Sequence, residues 1–412
     1  MRKVRVAEED VSVAPAVIQA ETAIEKGDLP KAEELLNKVV ELDPRDYRAW
    51  FDLGYVFNAT NRKSQAIDAY RKAVTLKPSV QEANLNLGTL LATQGVNEEA
   101  AKYLRAATTL KPESKDSAGV YRAWLSLGRV LQRSSPVEAA AAFREAAKLN
   151  PKDVEPHLSL AGAVAKTDAA EAEAEYKKAL ELDASSTDAM AGLINLYTQS
   201  NRLADAETFL RAYLKAAPDN SSAHLQLGRI LMKAQKTDEA LEHFETGLKA
   251  NPNDRDLLQT LASLYEEAKK LPEAEDRYRA LVRSAPQDPA AHRGLARVLM
   301  KQRKFPEAET EFFEAIKLEP KHADTYGEFA VVAAQNKKYG LTIRALNERA
   351  KFAPETPATY FLRATSYDNL KAFKEAAENY HQFLAVADGK FPDQEWQARH
   401  RLIAIEPEQK KK

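Results

Sequence analysis

The sequence has 412 residues, with 60 Lys and Arg against 61 Asp and Glu, and its formal net charge at pH 7 is −1. This balance gives no long-range attraction to nucleic acid or to an anionic membrane, so a nucleic-acid partner is not expected. Cysteine is absent, which excludes disulfides, thiolate catalysis and cysteine metal sites but leaves the cellular compartment open.

The amino-terminal residues 1–12 are rich in charge and lack the apolar core of a signal peptide. No later stretch of about 18 apolar residues predicts a membrane span. We therefore expect residues 1–12 to be a flexible segment of a soluble chain that does not insert directly into a membrane. The sequence shows no targeting signal. The cytoplasm is slightly favoured as the cellular compartment, and export would require a signal peptide that had been removed.

Beyond that segment, proline recurs at a fixed interval of 34 residues within two stretches of the chain. The recurring residues are Pro44, Pro78 and Pro112, followed by Pro218, Pro252, Pro286, Pro320 and Pro354. A fixed period of 20 to 50 residues is typical of a solenoid, in which each unit is too small to bury its own apolar face and stacks on its neighbours. Function is therefore expected on a repeated surface rather than in an enzyme-like pocket.

The residues between the prolines also repeat, most clearly in the second unit. That unit contains Trp50, Leu53, Gly54 and Phe57, then Ala66, Tyr70, Ala73 and Pro78. It resembles the tetratricopeptide repeat, whose pattern is W-x2-L-G-x2-Y, then A-x3-F, then P. In this register eleven units cover residues 13–391 and start near Val13, Tyr47, Gln81, Tyr121, Val154, Thr187, Ser221, Arg255, Pro289, Ala323 and Pro357.

The resemblance implies an all-α fold: a right-handed superhelical solenoid of antiparallel helix pairs with a carboxyl-terminal capping helix. Small residues such as Gly54, Gly128 and Gly228 at the eighth position are expected to let the two helices of a pair approach closely. An aromatic residue on the second helix, such as Tyr70, fills the remaining space. The proline then ends the second helix, because it lacks an amide proton and restricts the residue before it.

Several places depart from the repeat. Residues 113–120 form an insertion, for which a lengthened surface turn is favoured over a functional hinge. Ala184 stands where a proline is expected, and Thr342 replaces the usual alanine of the tenth unit. At the carboxyl end, Phe391 and Pro392 break the pattern, so residues 392–412 are predicted to be the capping helix and a Lys-rich tail.

The search for catalytic and metal-binding patterns gives no candidate. His157, His224 and His292 occupy the repeat position held elsewhere by Trp50 and Trp124, so packing or capping is favoured over metal binding. No Gly-rich phosphate loop, H-E-x-x-H or G-x-S-x-G motif occurs. We therefore predict a protein that is not an enzyme and needs no cofactor.

The resemblance assigns a candidate partner-binding surface, since in this family the concave face is formed mainly by the first helix of each pair. Its apolar members here are Phe51, Leu85, Leu125 and Leu225. Its polar and basic members are Tyr55, Asn58, Arg122, Arg129, Arg133, Arg229, Lys233, Arg293, Arg297 and Lys301. An apolar strip beside Arg and Lys suits an acidic peptide with hydrophobic anchors. The alternative is that neighbouring helices cover the apolar residues and that the cations are simply solvated.

Three functions follow as hypotheses. The first is a protein-protein interaction scaffold that supports assembly of a larger complex. The second is a targeting or regulatory subunit of a separate enzyme, and the third is a self-assembling structural protein. The clamp that family members use for chaperone tails is incomplete here, because Phe51, Tyr55 and Ser126 replace its required side chains. The identity of the partner and the oligomeric state are left open.

Overall fold

The computed structural model describes residues 15–113 and 118–406, and all regular secondary structure in these two ranges is helical. Eleven consecutive helix pairs are followed by a final single helix, which confirms the predicted all-α repeat fold. The helices of the first six pairs are α1 Pro15–Lys26, α2 Leu29–Leu42, α3 Tyr47–Ala59, α4 Lys63–Leu76, α5 Gln81–Thr93, α6 Asn97–Thr109, α7 Ala118–Leu131, α8 Pro136–Leu149, α9 Val154–Val164, α10 Ala169–Leu182, α11 Thr187–Gln199 and α12 Leu203–Ala216. The later helices are α13 Ser221–Lys233, α14 Thr237–Ala250, α15 Arg255–Glu267, α16 Leu271–Ser284, α17 Pro289–Lys301, α18 Phe305–Leu318, α19 Ala323–Gln335, α20 Tyr339–Ala350, α21 Pro357–Asn369, α22 Phe373–Ala387 and α23 Pro392–Ile405.

The chain divides into two compact units, with the boundary between Ala216 and Ala217. Within each unit, a second helix packs against the first helix of its own pair and against the first helix of the next pair. First helices of neighbouring pairs also touch, as α5 touches α7 in the first unit and α19 touches α21 in the second. We call these first helices the inner helices, because the resemblance to the tetratricopeptide repeat implies that they form the concave side.

The ends of the predicted solenoid are only partly within the described residues. The helix α23 packs on α22 and buries Ala398 and Leu402, which are 0% and 7% exposed. The division of the chain into residues 1–12, 13–391 and 392–412 stays a prediction, and residues 1–14 and 407–412 lie outside the described residues. So do residues 114–117 of the predicted insertion, whereas residues 118–120 form the first turn of α7.

Prolines and acidic side chains set the helix ends. Asp43, directly before Pro44, is the extended carboxyl-terminal cap of α2, as expected because a proline disfavours helical geometry at the residue before it. The next helix, α3, begins at Tyr47, and the Asp46 carboxylate before it accepts hydrogen bonds from the backbone amides of Arg48 and Ala49. An N-cap of this kind satisfies amides that have no partner within the helix.

In nine of the eleven described helix pairs, the turn inside the pair has a residue with positive φ at a constant register position. Two units have glycine there, Gly27 and Gly95, and seven have a residue with a side chain. Those seven residues are Asn61, Asn201, Gln235, Lys269, Arg303, Lys337 and Lys371, with φ between 56° and 61°. Left-handed geometry is costly for a residue with a Cβ atom, and least so for asparagine. The five Gln, Lys and Arg turns therefore carry backbone strain.

The core depends on close contact between a small residue on one helix and an aromatic ring on another. A methyl group added at Gly54 would lie 2.6 Å from Cδ1 of Tyr70, and additions at Gly128 and Gly228 would collide with Phe143 and Phe244. These contacts join the two helices of one pair. They confirm that glycine at the eighth position permits the close approach of those helices.

Where the eighth position is alanine, some aromatic rings turn to the next pair instead. Tyr176 follows Ala161, and its ring lies where a side chain at Gly192 of the next inner helix would be. Tyr278 follows Ala262 and occupies the corresponding space at Gly294. The ring at this position therefore fills the space beside a glycine of its own pair in some units and beside a glycine of the next pair in others.

The backbone strain in the repeat turns can be tested by exchanging glycine for a residue with a Cβ atom, and the reverse, at the positive-φ position. Gly95 has φ of +75°, and a methyl group added there would meet no atom of the described residues within 4 Å. Gly95→Ala should therefore destabilise through the backbone alone, by about 1 kcal/mol. Arg303→Gly should instead stabilise the folded protein by about 0.5–1 kcal/mol, because glycine adopts positive φ without strain. Urea unfolding measures both free energies, and a stabilised Gly95→Ala variant would contradict the strain assignment.

The close contact can be tested with two glycines that lie on inner helices. Gly54→Ala forces a methyl group into the Tyr70 ring and should cost about 1–3 kcal/mol through overpacking. Gly162→Ala is the matched control, since the only side-chain atom of the described residues within 4 Å of the added methyl group is the Tyr176 hydroxyl oxygen at 3.8 Å. The control should be stabilising by about 0.5–1 kcal/mol through helix propensity. Thermal unfolding that affects both variants equally would show that the contact does not set the packing.

Candidate protein-binding surface

The four apolar residues of the predicted surface lie in the core. Leu85 and Leu125 are 2% and 8% exposed, and Phe51 and Leu225 are each 6% exposed. The Phe51 ring contacts Tyr70, with 5.7 Å between ring centroids. The structure thus differs from an exposed apolar strip, because the fifth position of an inner helix packs against the helices around it. Of the two alternatives raised by the sequence, coverage of these residues by neighbouring helices is the one observed.

The basic residues of α7 and of the turn after it do face solvent. Arg122, Arg129 and Arg133 are all exposed. The spacing of seven residues places Arg122 and Arg129 on one side of α7 together with Ser126, and Arg133 lies in the turn two residues after the helix ends. We call the three arginines the arginine stripe. The Arg129 guanidinium pairs with Glu155 of α9 at 2.9 Å, with both side chains about half exposed. Neither Arg122 nor Arg133 has an ion pair within the described part of the chain.

Uncharged polar groups lie on the inner helices before α7. Asn58 of α3 is exposed and Tyr55 is half-buried. On α5, the Asn86 side-chain amide faces the Tyr70 hydroxyl at 3.5 Å, and the Thr89 hydroxyl oxygen is buried without a hydrogen-bond partner among the described residues. Of these groups, the side chain of Asn58 is exposed and those of Tyr55 and Asn86 are half-buried, whereas the Thr89 and Tyr70 hydroxyls are buried. The exposed and half-buried groups can pair with the backbone of an extended segment.

Asp52, on α3, is a polar residue that the sequence analysis did not assign to the surface. Its Oδ2 atom is buried and has no hydrogen-bond partner in the described residues. Burial, together with the smaller effects of the nearby carboxylates of Glu21 and Asp46, raises the pKa of Asp52 to about 8 against the opposing effect of Arg48. The carboxyl group is consequently protonated at neutral pH. An acidic residue at the sixth register position, where the next two units have Asn86 and Ser126, was the available signal.

In the second compact unit, three of the five predicted basic residues pair with acidic residues of neighbouring helices or of the turns between them. Arg229 pairs with Asp256 at 3.4 Å, Lys301 pairs with Glu266 at 2.8 Å, and Arg293 pairs with Glu319. The remaining two residues, Lys233 and Arg297, are exposed. Glu328 lies near Arg293 and Arg297, and burial raises the pKa of that carboxyl. The second unit therefore has a more balanced surface than α7.

The three histidines at the tryptophan position form hydrogen bonds to the turn before their helix or to the second helix of their pair. Nε2 of His224 and of His292 donates to the carbonyl of the proline six residues earlier, at 2.9 and 3.1 Å, as the Trp50 indole does to Pro44 at 3.0 Å. His157 instead contacts Glu175 through Nδ1 at 2.6 Å. Among residues 15–113 and 118–406, no group of three possible metal ligands is present.

Sequence profiles of the tetratricopeptide repeat match two long stretches of the chain. One matches residues 19–80, 61–117 and 85–154, and another matches residues 163–230, 231–298 and 267–326. The chain belongs to the tetratricopeptide repeat family. Proteins of this family are in general protein-protein interaction scaffolds and are typically not enzymes. No curated protein sequence matches the chain.

Solved structures of tetratricopeptide repeat proteins resemble the chain at low identity. Yeast Tom70 is 16% identical, with a TM-score of 0.35, and the match covers 94% of this chain and 95% of that one. YrrB, described as having an unusual peptide-binding site, is 25% identical over 48% of this chain and 99% of its own, with a TM-score of 0.39. Pseudomonas aeruginosa pilF is 20% identical over 53% and 98%, with a TM-score of 0.40.

None of the described helices combines the length and the apolar composition needed to span a bilayer.

The state of Asp52 gives a pH prediction for stability. Its pKa is about 8 in the folded protein against 3.8 for the ordinary group, so its favourable contribution is complete below pH 4 and is lost as the pH rises through 8. Asp52→Asn keeps a neutral side chain at every pH. The variant should therefore gain stability over the wild type between pH 4.5 and pH 8.5, by more than about 1 kcal/mol. Denaturant unfolding across this range checks it, and a constant difference would contradict the assignment.

Proposed function

We propose that this tetratricopeptide repeat protein is a non-enzymatic scaffold that holds protein segments along the inner helices and supports assembly of a larger complex. The observation that carries the proposal is the arginine stripe of α7 and the turn after it. Two of its guanidinium groups, those of Arg122 and Arg133, have no ion pair within the described residues. A charge-assisted hydrogen bond from a guanidinium to a carboxylate is stronger than one between neutral groups. An acidic segment is the partner that this stripe favours.

The burial of the fifth-position residues refines how such a segment binds. Phe51, Leu85 and Leu125 are 2–8% exposed. They therefore pack in the core beneath the inner helices and do not bind large hydrophobic side chains of a partner. The exposed and half-buried polar groups of α3 and α5, together with the arginines, contact the segment instead. The segment therefore binds chiefly through its charges and backbone, and its affinity decreases as salt screens the charges.

The proposal predicts that the arginine stripe decides partner binding. Charge reversal at Arg122, Arg129 and Arg133 together should weaken binding of captured partners by at least about tenfold, a loss of about 1.4 kcal/mol. Helicity by circular dichroism should be unchanged, because all three side chains are exposed. Affinity capture from the source cells followed by titration calorimetry with each purified partner provides the measurement.

The matched control reverses Lys111 and Lys152, which are exposed in the same compact unit but lie in turns outside the inner helices. It should bind like the wild type. Equal loss in both variants would indicate a nonspecific charge effect. Retained binding by the stripe variant would contradict the proposed surface, and capture of the chain alone would favour self-assembly.

A further inference from the structure

Helix α23 has a second apolar side, opposite the side that packs on α22. Ala398 and Leu402 lie on the packed side and are 0% and 7% exposed. Trp396 and Ile403, in contrast, are 61% and 79% exposed. Trp396, His400 and Ile403 follow one another at intervals of four and three residues, so they share one side of the helix. We call these three residues the outer face of α23.

The outer face is ordered before any partner binds. The His400 ring packs on the Trp396 indole, with 3.9 Å between ring centroids and 35° between their planes. Nδ1 of His400 also lies 3.0 Å from the carbonyl oxygen of Trp396. Side chains that are already held in place lose little conformational freedom on binding. Single exposed apolar residues are ordinary on a protein surface, whereas a contiguous group of them marks an interaction site.

The repeat architecture indicates what kind of element covers such a side. Each of the eleven inner helices packs against the antiparallel second helix of its own pair. Helix α23 packs on α22, and no further helix follows it within the described residues. The outer face therefore lies where another helix can pack in the same antiparallel way. A helix with apolar residues on two sides is stable when both sides are covered.

The charges along α23 favour a second copy of the same helix as the occupant. Asp393 is exposed in the first turn and has no ion pair within the described residues, whereas His400 lies in the second half. Arg399, also in the second half, is already paired with Glu395 at 2.9 Å. In an antiparallel pair, the acidic start of each helix lies beside the histidine of the other. The macrodipoles of the two helices then also run in opposite directions, which is favourable.

We propose that α23 is a self-association helix, through which two copies of the chain pair in antiparallel orientation by their outer faces. Trp396 and His400 lie equally far from Ala398 along the helix, as do Asp393 and Ile403. A two-fold axis beside Ala398 therefore brings Trp396 of one copy level with His400 of the other. Asp393 is then three residues, or about 4.5 Å along the axis, from the histidine of the other copy. The pairing does not involve the arginine stripe, so it goes beyond the proposed function and is independent of it.

The size of the contact sets its strength. Helix α23 has 14 residues, so it is about 21 Å long. A contact made by one such helix from each copy lies near the low end of specific interfaces, which bury about 1,200 Å² or more. We therefore expect a reversible dimer with a Kd of about 1–100 μM.

The first experiment measures self-association of the full chain by analytical ultracentrifugation at protein concentrations from about 1 to about 200 μM, which span the expected Kd. Trp396→Ser and Ile403→Ser should each weaken the dimer by at least about tenfold, because these side chains form the centre of the contact. The matched control is Val137→Ser, since Val137 is 81% exposed on α8. This control and the arginine stripe variant should associate like the wild type.

The second experiment tests the antiparallel arrangement by exchanging charges. Asp393→Lys and His400→Glu each remove the attraction between the acid of one copy and the histidine of the other, so each variant alone should associate at least about fivefold more weakly. In an equimolar mixture, the new lysine of one variant meets the new glutamate of the other. Association between the two variants, followed with a fluorescent label on one of them, should recover to the wild-type Kd. Circular dichroism checks that each variant keeps its helicity.

The expected result is a concentration-dependent dimer that the outer-face variants lose and that the mixture of charge variants regains. A monomer at every concentration up to about 200 μM would overturn the proposal, as would a dimer that is indifferent to Trp396→Ser and Ile403→Ser. Loss in both charge variants without recovery in their mixture would overturn the antiparallel pairing. None of these outcomes affects the scaffold proposal, which depends on the arginine stripe.

Discussion

The close contact between a small inner-helix residue and an aromatic ring is the constraint on which the rest of the structure depends. Gly54 lies against Tyr70 in one pair, and Gly192 accommodates Tyr176 from the pair before it. Because a methyl group does not fit at either glycine, the distance between the helices is set by the ring and not by surface charge. The inner helices are thus held at fixed positions, and their solvent-facing residues form an ordered array.

This constraint also explains why charge and not apolar area distinguishes the candidate surface. Holding the pairs together uses the fifth-position residues Phe51, Leu85 and Leu125, which leaves amides, hydroxyls and charged groups for solvent. Along the second unit these charges largely neutralise one another, as in the pair of Lys301 with Glu266. On α7 the neutralisation is incomplete. A surface with this pattern recognises a partner by the position of its charges more than by its hydrophobicity.

Much of the fold followed from the sequence, whereas the surface followed only in part. The proline interval and the Gly54 and Tyr70 positions determine local packing, so a repeat register is sufficient to predict helix pairs. The same register does not tell whether a fifth-position leucine is covered, because coverage depends on the adjacent helices. Ion pairs such as Arg129 with Glu155 join residues of different repeats and need their three-dimensional arrangement. The state of Asp52 was missed for the same reason, since burial and Glu21 of another helix set its pKa.

The central claim is that protein segments bind on the inner helices around the arginine stripe, and site-specific photo-crosslinking tests it most directly. A photoreactive residue at Ser126, between Arg122 and Arg129, would be compared in cells with one at Lys152, outside the inner helices. Mass spectrometry would then locate the attached peptides. The account predicts crosslinks from position 126 to acidic segments of a partner and few from position 152. Crosslinks from position 152 alone would contradict it.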